Sequence, residues 1–148
     1  MTTKQAAPIT QGVRLPLGLF DAVPDDVLNF GIGKHFDAKR VPEMLNLKKE
    51  DVSRLASVSV KSVRYDDAIP EQVRERLEEI GITINLVAKV FNGGAEKTAV
   101  WFRARNPLLG DVAPRDMIRL GRFDRLRKYI IGAMSANDAG IRQAAKVK

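Results

Sequence analysis

With 148 residues, the chain suffices for one ordinary domain or two small ones, and its formal charge of +7 points to an anionic partner. The lack of cysteine excludes disulfides and thiolate metal sites and fits a reducing compartment. No apolar run reaches signal-peptide length or the ~20 residues of a membrane span, so a soluble, cytoplasmic protein without membrane contact is expected.

Aromatic residues make up only 6% of the chain, so the core must be built mainly from Leu, Ile, Val and Ala. The charge is uneven. Residues 1–69 hold ten Lys/Arg against nine Asp/Glu, whereas 70–148 hold fifteen against nine. Arg103, Arg105, Arg115, Arg119, Arg122, Arg125, Arg127 and Lys128 form the densest basic cluster. It reads either as a solvated helical face or as a surface for nucleic acid or an acidic protein.

Residues 1–20, with Pro8, Gly12, Pro16 and Gly18, show no sustained period and read as a flexible extension. Within residues 21–36 a short helix is expected from near Pro24, with Asp25 and Asp26 in its favourable first turn. Phe30-Gly31-Ile32-Gly33-Lys34 is not a phosphate loop, because the earlier glycine and the Ser/Thr after the lysine are missing. His35, the only histidine, lacks the company a metal site or catalytic triad needs.

Asp37 is expected to cap a helix over Ala38–Asn46, which Pro42 pushes toward a later start. Val52, Leu55 and Ala56 give the next helix a buried edge. Ser57-Val58-Ser59 reads as a turn, and Ser59 as the N-cap of a further helix through Tyr65. With Ser53 small enough for close approach and Val52, Val58 and Val63 as anchors, this spacing predicts a helix-turn-helix over residues 21–69. Its outward side chains, Lys49, Ser59, Lys61, Ser62, Arg64 and Tyr65, are the candidate DNA-binding residues, since they suit phosphates and base edges.

After the connector Asp66–Pro70, apolar Val73, Leu77, Ile80, Ile84, Val87 and Phe91 recur by threes and fours. One long helix is predicted, with Gly81 off its buried edge, ended by Asn92-Gly93-Gly94. A short helix Ala95–Arg103 carries Trp101. Asn106-Pro107 breaks it, Leu108-Leu109-Gly110 turns, Pro114 opens another short helix, and Gly121 ends that one. Phe123, Leu126, Ile130 and Ala133 mark a face of the final helix. Trp101 is expected to lie against Leu108, Leu109 and the Phe123–Ile130 face. The tail 141–148 reads as flexible.

The whole is therefore expected to be all-α. No cysteine nucleophile, metal cluster or glycine-rich phosphate loop is present, so no enzyme and no cofactor are expected.

Phe91-Asn92-Gly93 with Glu96 and Trp101, then Asn106-Pro107 with Leu109-Gly110, then Pro114 with Met117-Ile118, form an ordered set. Together they resemble the toxin-binding domain of the Xre/MbcA/ParS antitoxins, which would occupy residues 70–140. Ala113 stands where that family usually has a capping Thr, and Asp111 where it has a second glycine. The resemblance implies a type II antitoxin with an Xre-like helix-turn-helix ahead of the toxin-binding domain. Its implied partners are a RES-domain toxin that consumes NAD and the operator DNA of its own operon, within a homodimer or larger complex. Toxin-binding roles would fall on Arg122, Arg125 and Tyr129, and on Asn137, Asp138 and Gly140 at the toxin's active-site entrance. Two alternatives stand beside it: a stand-alone regulator whose second domain only dimerises, and an architectural protein binding nucleic acid through the basic cluster.

Overall fold

A computed structural model describes residues 25–136. In chain order its helices are α1 (Arg40–Leu45), α2 (Lys49–Ala56), α3 (Glu71–Val90), α4 (Ala95–Arg103), α5 (Pro114–Arg119) and α6 (Phe123–Ala136). Two single 3₁₀ turns, Val60–Ser62 and Pro107–Leu109, join them, and the described residues include no strand. The class is all-α, and none of these helices is long and apolar enough to cross a membrane.

Helix α3 is the axis on which the others pack. Its first half is amphipathic, burying Val73, Leu77 and Ile80. Its second half is enclosed almost completely, with Gly81, Thr83, Ile84, Asn85, Leu86, Val87, Ala88 and Val90 all buried. A helix that is apolar all round is one surrounded by protein, and α1, α2, α4 and α6 supply that surround. The β-branched run Ile82-Thr83-Ile84 stays helical, and the Thr83 hydroxyl donates to the Glu79 carbonyl at 3.0 Å. Gly81 does not lie off the buried edge. A Cβ there would stand in ordinary van der Waals contact with Phe30, Ile32 and Val41 at 3.5 Å, so the position faces the segment before α1 and α1 itself.

That segment holds no helix near Asp25 and Asp26. The Asp26 carboxylate instead accepts from the backbone N–H groups of Phe30, Gly31 and Ile32 at 2.9, 2.7 and 3.1 Å, and from the Asn85 side chain at 3.1 Å. Asn85 in turn accepts from the Leu28 N–H at 3.0 Å. A short carboxylate that can satisfy nearby amides competes with helix formation, and here it wins. Phe30 is carried into the core, 1% exposed.

Helix α1 starts at Arg40, not under an Asp37 cap. Pro42 therefore falls in its first turn, where the missing N–H is harmless. Asn46 ends it in the left-handed conformation at φ 56°. Residues on both sides of Pro70 contribute to a single apolar cluster, from Leu28 to Ile130.

Trp101 is 3% exposed and meets Phe102 edge-on, ring centroids 5.0 Å apart. Its helix packs chiefly on α1, α3 and α5, whereas Leu108, expected beneath the indole, is 56% exposed on its turn. The Pro107 turn lifts Leu108 outward and leaves Leu109 at the core edge. Truncating a buried indole removes both its transfer free energy and its packing. Trp101→Ala should therefore cost about 3–5 kcal/mol, read as a lower urea midpoint with an unchanged slope.

Candidate binding surfaces

Two stretches carry the residues proposed for recognition, and a buried carboxylate connects their scaffolds. In α2, Val52, Leu55 and Ala56 are buried as the spacing predicts. Ser57 then adopts φ 58°, the left-handed C-cap conformation, and the Ser53 hydroxyl donates to the Val58 carbonyl. Val63 is buried and Val58 packs at the core edge. The anchors thus fall where the sequence places them.

The segment between them departs from the expectation of a second helix. Residues 60–62 make one 3₁₀ turn, Val63 is extended, and Ser59 forms no cap. Its hydroxyl instead faces that of Ser62 at 2.9 Å. Val60, Val63 and the two serines are poor helix formers. Asp66 then draws the chain away by accepting Arg64 at 2.8 and 2.6 Å and the Ala68 N–H at 3.1 Å. Hydrogen bonding from Arg64, then from the Ala68 N–H, holds the Asp66 carboxyl down to about 2. Lys49, Ser59, Lys61 and Arg64 are exposed, Ser62 is partly covered, and Tyr65 is half-buried, its phenol pushed up by burial.

Asp51 is not among the residues that the spacing singles out. It is 5% exposed, and its carboxylate accepts from the Lys48 N–H at 2.9 Å and from Arg54 at 3.3 Å. The Arg119 guanidinium of α5 lies 3.4 Å away, and Arg54 also donates to the Arg119 carbonyl at 2.6 Å. Burial pushes the Asp51 carboxyl up. The Lys48 N–H, Arg119 and Arg54 outweigh it, so the group sits below the ordinary aspartate value. This knot ties α2 to α5 beside an open groove of about 600 Å³ that Arg105, Val112 and Leu120 also line.

The turn between α4 and α5 is organised by Asn106. Its side chain accepts from the Leu108 N–H at 2.9 Å, and its backbone pairs with Val112 across the turn. Gly110 and Asp111 both lie in the left-handed region, at φ 76° and 65°. Pro114 opens α5 at a position that needs no N–H, and Gly121 closes the connection to α6 at φ 79°.

The basic cluster does not form one patch. Arg103 donates to the Met44 carbonyl, Arg105 faces Asp111, Arg115 lies beside Asp116, and Arg119 is drawn into the Asp51 knot. Arg127 pairs with Asp124 and covers the Phe123 ring. Arg122, Arg125 and Lys128 remain, exposed and with no carboxylate partner among the described residues. Tyr129 is half-buried, and its shielded hydroxyl has no hydrogen-bond partner among the described residues. Asn137, Asp138 and Gly140 lie outside the described residues. His35 is exposed, and the described residues hold no cluster able to bind a metal ion. Comparison with protein-family models, curated proteins and solved structures finds no match.

Two variants test this geometry. Asp51→Ala removes the acceptor of the Lys48 N–H and the partner of Arg54 and Arg119, and should cost about 1–2 kcal/mol at pH 7, less than a fully buried pair because both arginines keep access to water. Because the folded carboxyl is depressed, its contribution is complete above the unfolded value of about 3.9 and disappears as pH falls through the lower folded value. Urea titrations of both proteins should therefore converge only once the pH has fallen below that depressed value. Asp111→Gly should raise stability by about 1 kcal/mol, since glycine adopts a positive φ without a Cβ penalty. The exposed Arg105–Asp111 pair that it removes, at 3.8 Å, contributes little.

Proposed function

We propose that the chain is the antitoxin of a type II toxin–antitoxin pair, related to the Xre/MbcA/ParS antitoxins. In this reading it binds and neutralises a RES-domain, NAD-consuming toxin and represses its own operon. It works by recognition, not catalysis, and uses no cofactor.

One observation carries the reading. The family's turn has two adjacent glycines where this chain has Gly110 and Asp111, and both positions take a positive φ. A backbone that demands glycine twice at that point is what the motif describes, and it persists although the second residue is Asp. The buried Trp101, the Asn106-capped 3₁₀ turn and Pro114 at the start of α5 stand around it in the same order.

Toxin contact falls to α6, its flanking Arg122 and the residues beyond its C-terminal end: Arg122, Arg125, Tyr129, Asn137, Asp138 and Gly140. Operator contact falls to Lys49, Ser59, Lys61, Ser62, Arg64 and Tyr65, presented by the N-terminal end of α2 and the 3₁₀ turn instead of a full recognition helix. Arg64 would exchange Asp66 for a phosphate. That exchange costs little because the pair is more than half exposed on both sides.

Co-expression with the product of the adjacent reading frame tests the first half. The expected result is a stoichiometric complex and restored growth; a harmless neighbour that does not co-purify overturns it. For the second half, Lys61→Ala with Arg64→Ala should abolish retardation of the upstream operator. It should also reduce the salt slope by about 0.9 for each phosphate no longer neutralised, with the circular dichroism melt unchanged. Wild-type affinity in the double variant overturns the assignment.

A further inference from the structure

Among the described residues nothing requires glycine at position 132. It lies inside α6, exposed, in a conformation that does not need a positive φ, and a Cβ there would meet nothing within 4 Å. Glycine within a helix is less stable than alanine, so α6 carries a cost here that packing among the described residues does not explain. The contrast with Gly81 and Gly31 is direct, since a Cβ at those positions would touch neighbouring chain.

Helical spacing places Gly132 on one line with Arg125, Lys128 and Ser135, all exposed. Phe123, Leu126 and Ile130 point the opposite side of the helix into the core. Arg122 stands at the start of the line. It, Arg125 and Lys128 have no carboxylate partner among the described residues, whereas Arg127, turned toward the core side, has Asp124. The exposed side of α6 therefore carries a row of cations, with Asp124 at its edge engaged by Arg127 and Arg76, and the row ends beside a gap the width of a missing side chain.

We propose that this face docks an acidic helix of a partner protein, which crosses α6 at Gly132. The proposal rests on the reading that this half of the chain binds a protein. It adds the partner's chemistry, a helix carrying carboxylates on one side and a small residue at the crossing. Charge complementarity selects the partner. Gly132 lets the two backbones approach closely enough for Arg125 and Lys128 to reach carboxylates on the flanking turns of the crossing helix.

The test uses the full chain and a synthetic amphipathic helical peptide bearing glutamates on one face around a central alanine, with its glutamine counterpart as control. Calorimetry should show binding of the glutamate peptide alone, with amide shifts confined to residues 122–135. Gly132→Leu should weaken that binding by about tenfold or more. The same substitution should raise the melting temperature, because leucine favours the helix, so weaker binding cannot be ascribed to misfolding. Arg125→Glu with Lys128→Glu should abolish it. Equal binding of the glutamine peptide, shifts centred on Lys49–Arg64, or undiminished binding by Gly132→Leu would each overturn the proposal. So would loss of duplex binding in the charge-reversed variant, which would make the face a nucleic-acid surface. The two readings fail separately. A neighbour product that does not bind removes the antitoxin while the peptide result keeps the docking face. A neighbour product that binds Gly132→Leu as well as wild type, together with undiminished peptide binding, removes the docking face alone.

Discussion

The enclosure of the second half of α3 is the constraint on which the rest depends. From Ile80 to Val90 nearly every side chain is covered, so helices must stand on several sides of one axis. Polar groups at that depth need partners, and Asn85 meets the need by bonding Leu28 and Asp26. The segment before α1 is thereby fixed to the central helix by a polar bridge and by the packing of Phe30 in the core. Residues on both sides of Pro70 consequently share one core, whatever division of labour their surfaces serve.

The second organising contact is electrostatic. Asp51 closes the first turn of α2 and reaches Arg119 on α5, so the helix beside the candidate DNA-binding residues is held against the helix beside the proposed partner-binding half. Asp51 is the member closed to water, and it is the one whose loss leaves both arginines without a carboxylate between them. Much of the chain's positive charge is used this way, in structure. A count of arginines therefore overstates the cationic surface that the 103–128 cluster leaves for recognition, which among the described residues is Arg122, Arg125 and Lys128.

Five non-glycine residues among those described take a positive φ, and three of them are Asn, which tolerates it. Ser57 and Asp111 both occupy backbone that favours glycine, one ending α2 and one shaping the turn before α5. Gly132 is the converse, a glycine where the backbone does not ask for one.

Periodicity was enough to place α3, α4, α5 and α6, because proline, glycine and the apolar spacing act within a few residues of one another. The Val52, Leu55, Val58 and Val63 anchors were legible for the same reason. Three features were not. The Asp26 loop replaced an expected helix because its carboxylate found amides four to six residues away together with Asn85, which only the folded chain brings near. The single turn at Val60–Ser62 replaced a recognition helix because weak propensity was left undefended once Asp66 captured Arg64 and Ala68. The basic cluster was divided, with Arg105, Arg115, Arg119 and Arg127 drawn into ion pairs, because a linear count of arginines cannot tell which side chains the fold will turn toward a carboxylate. Local pattern determined where the helices lie; contacts between distant residues, Asp51 with Arg119 foremost, decided which charges face solvent and are free to bind.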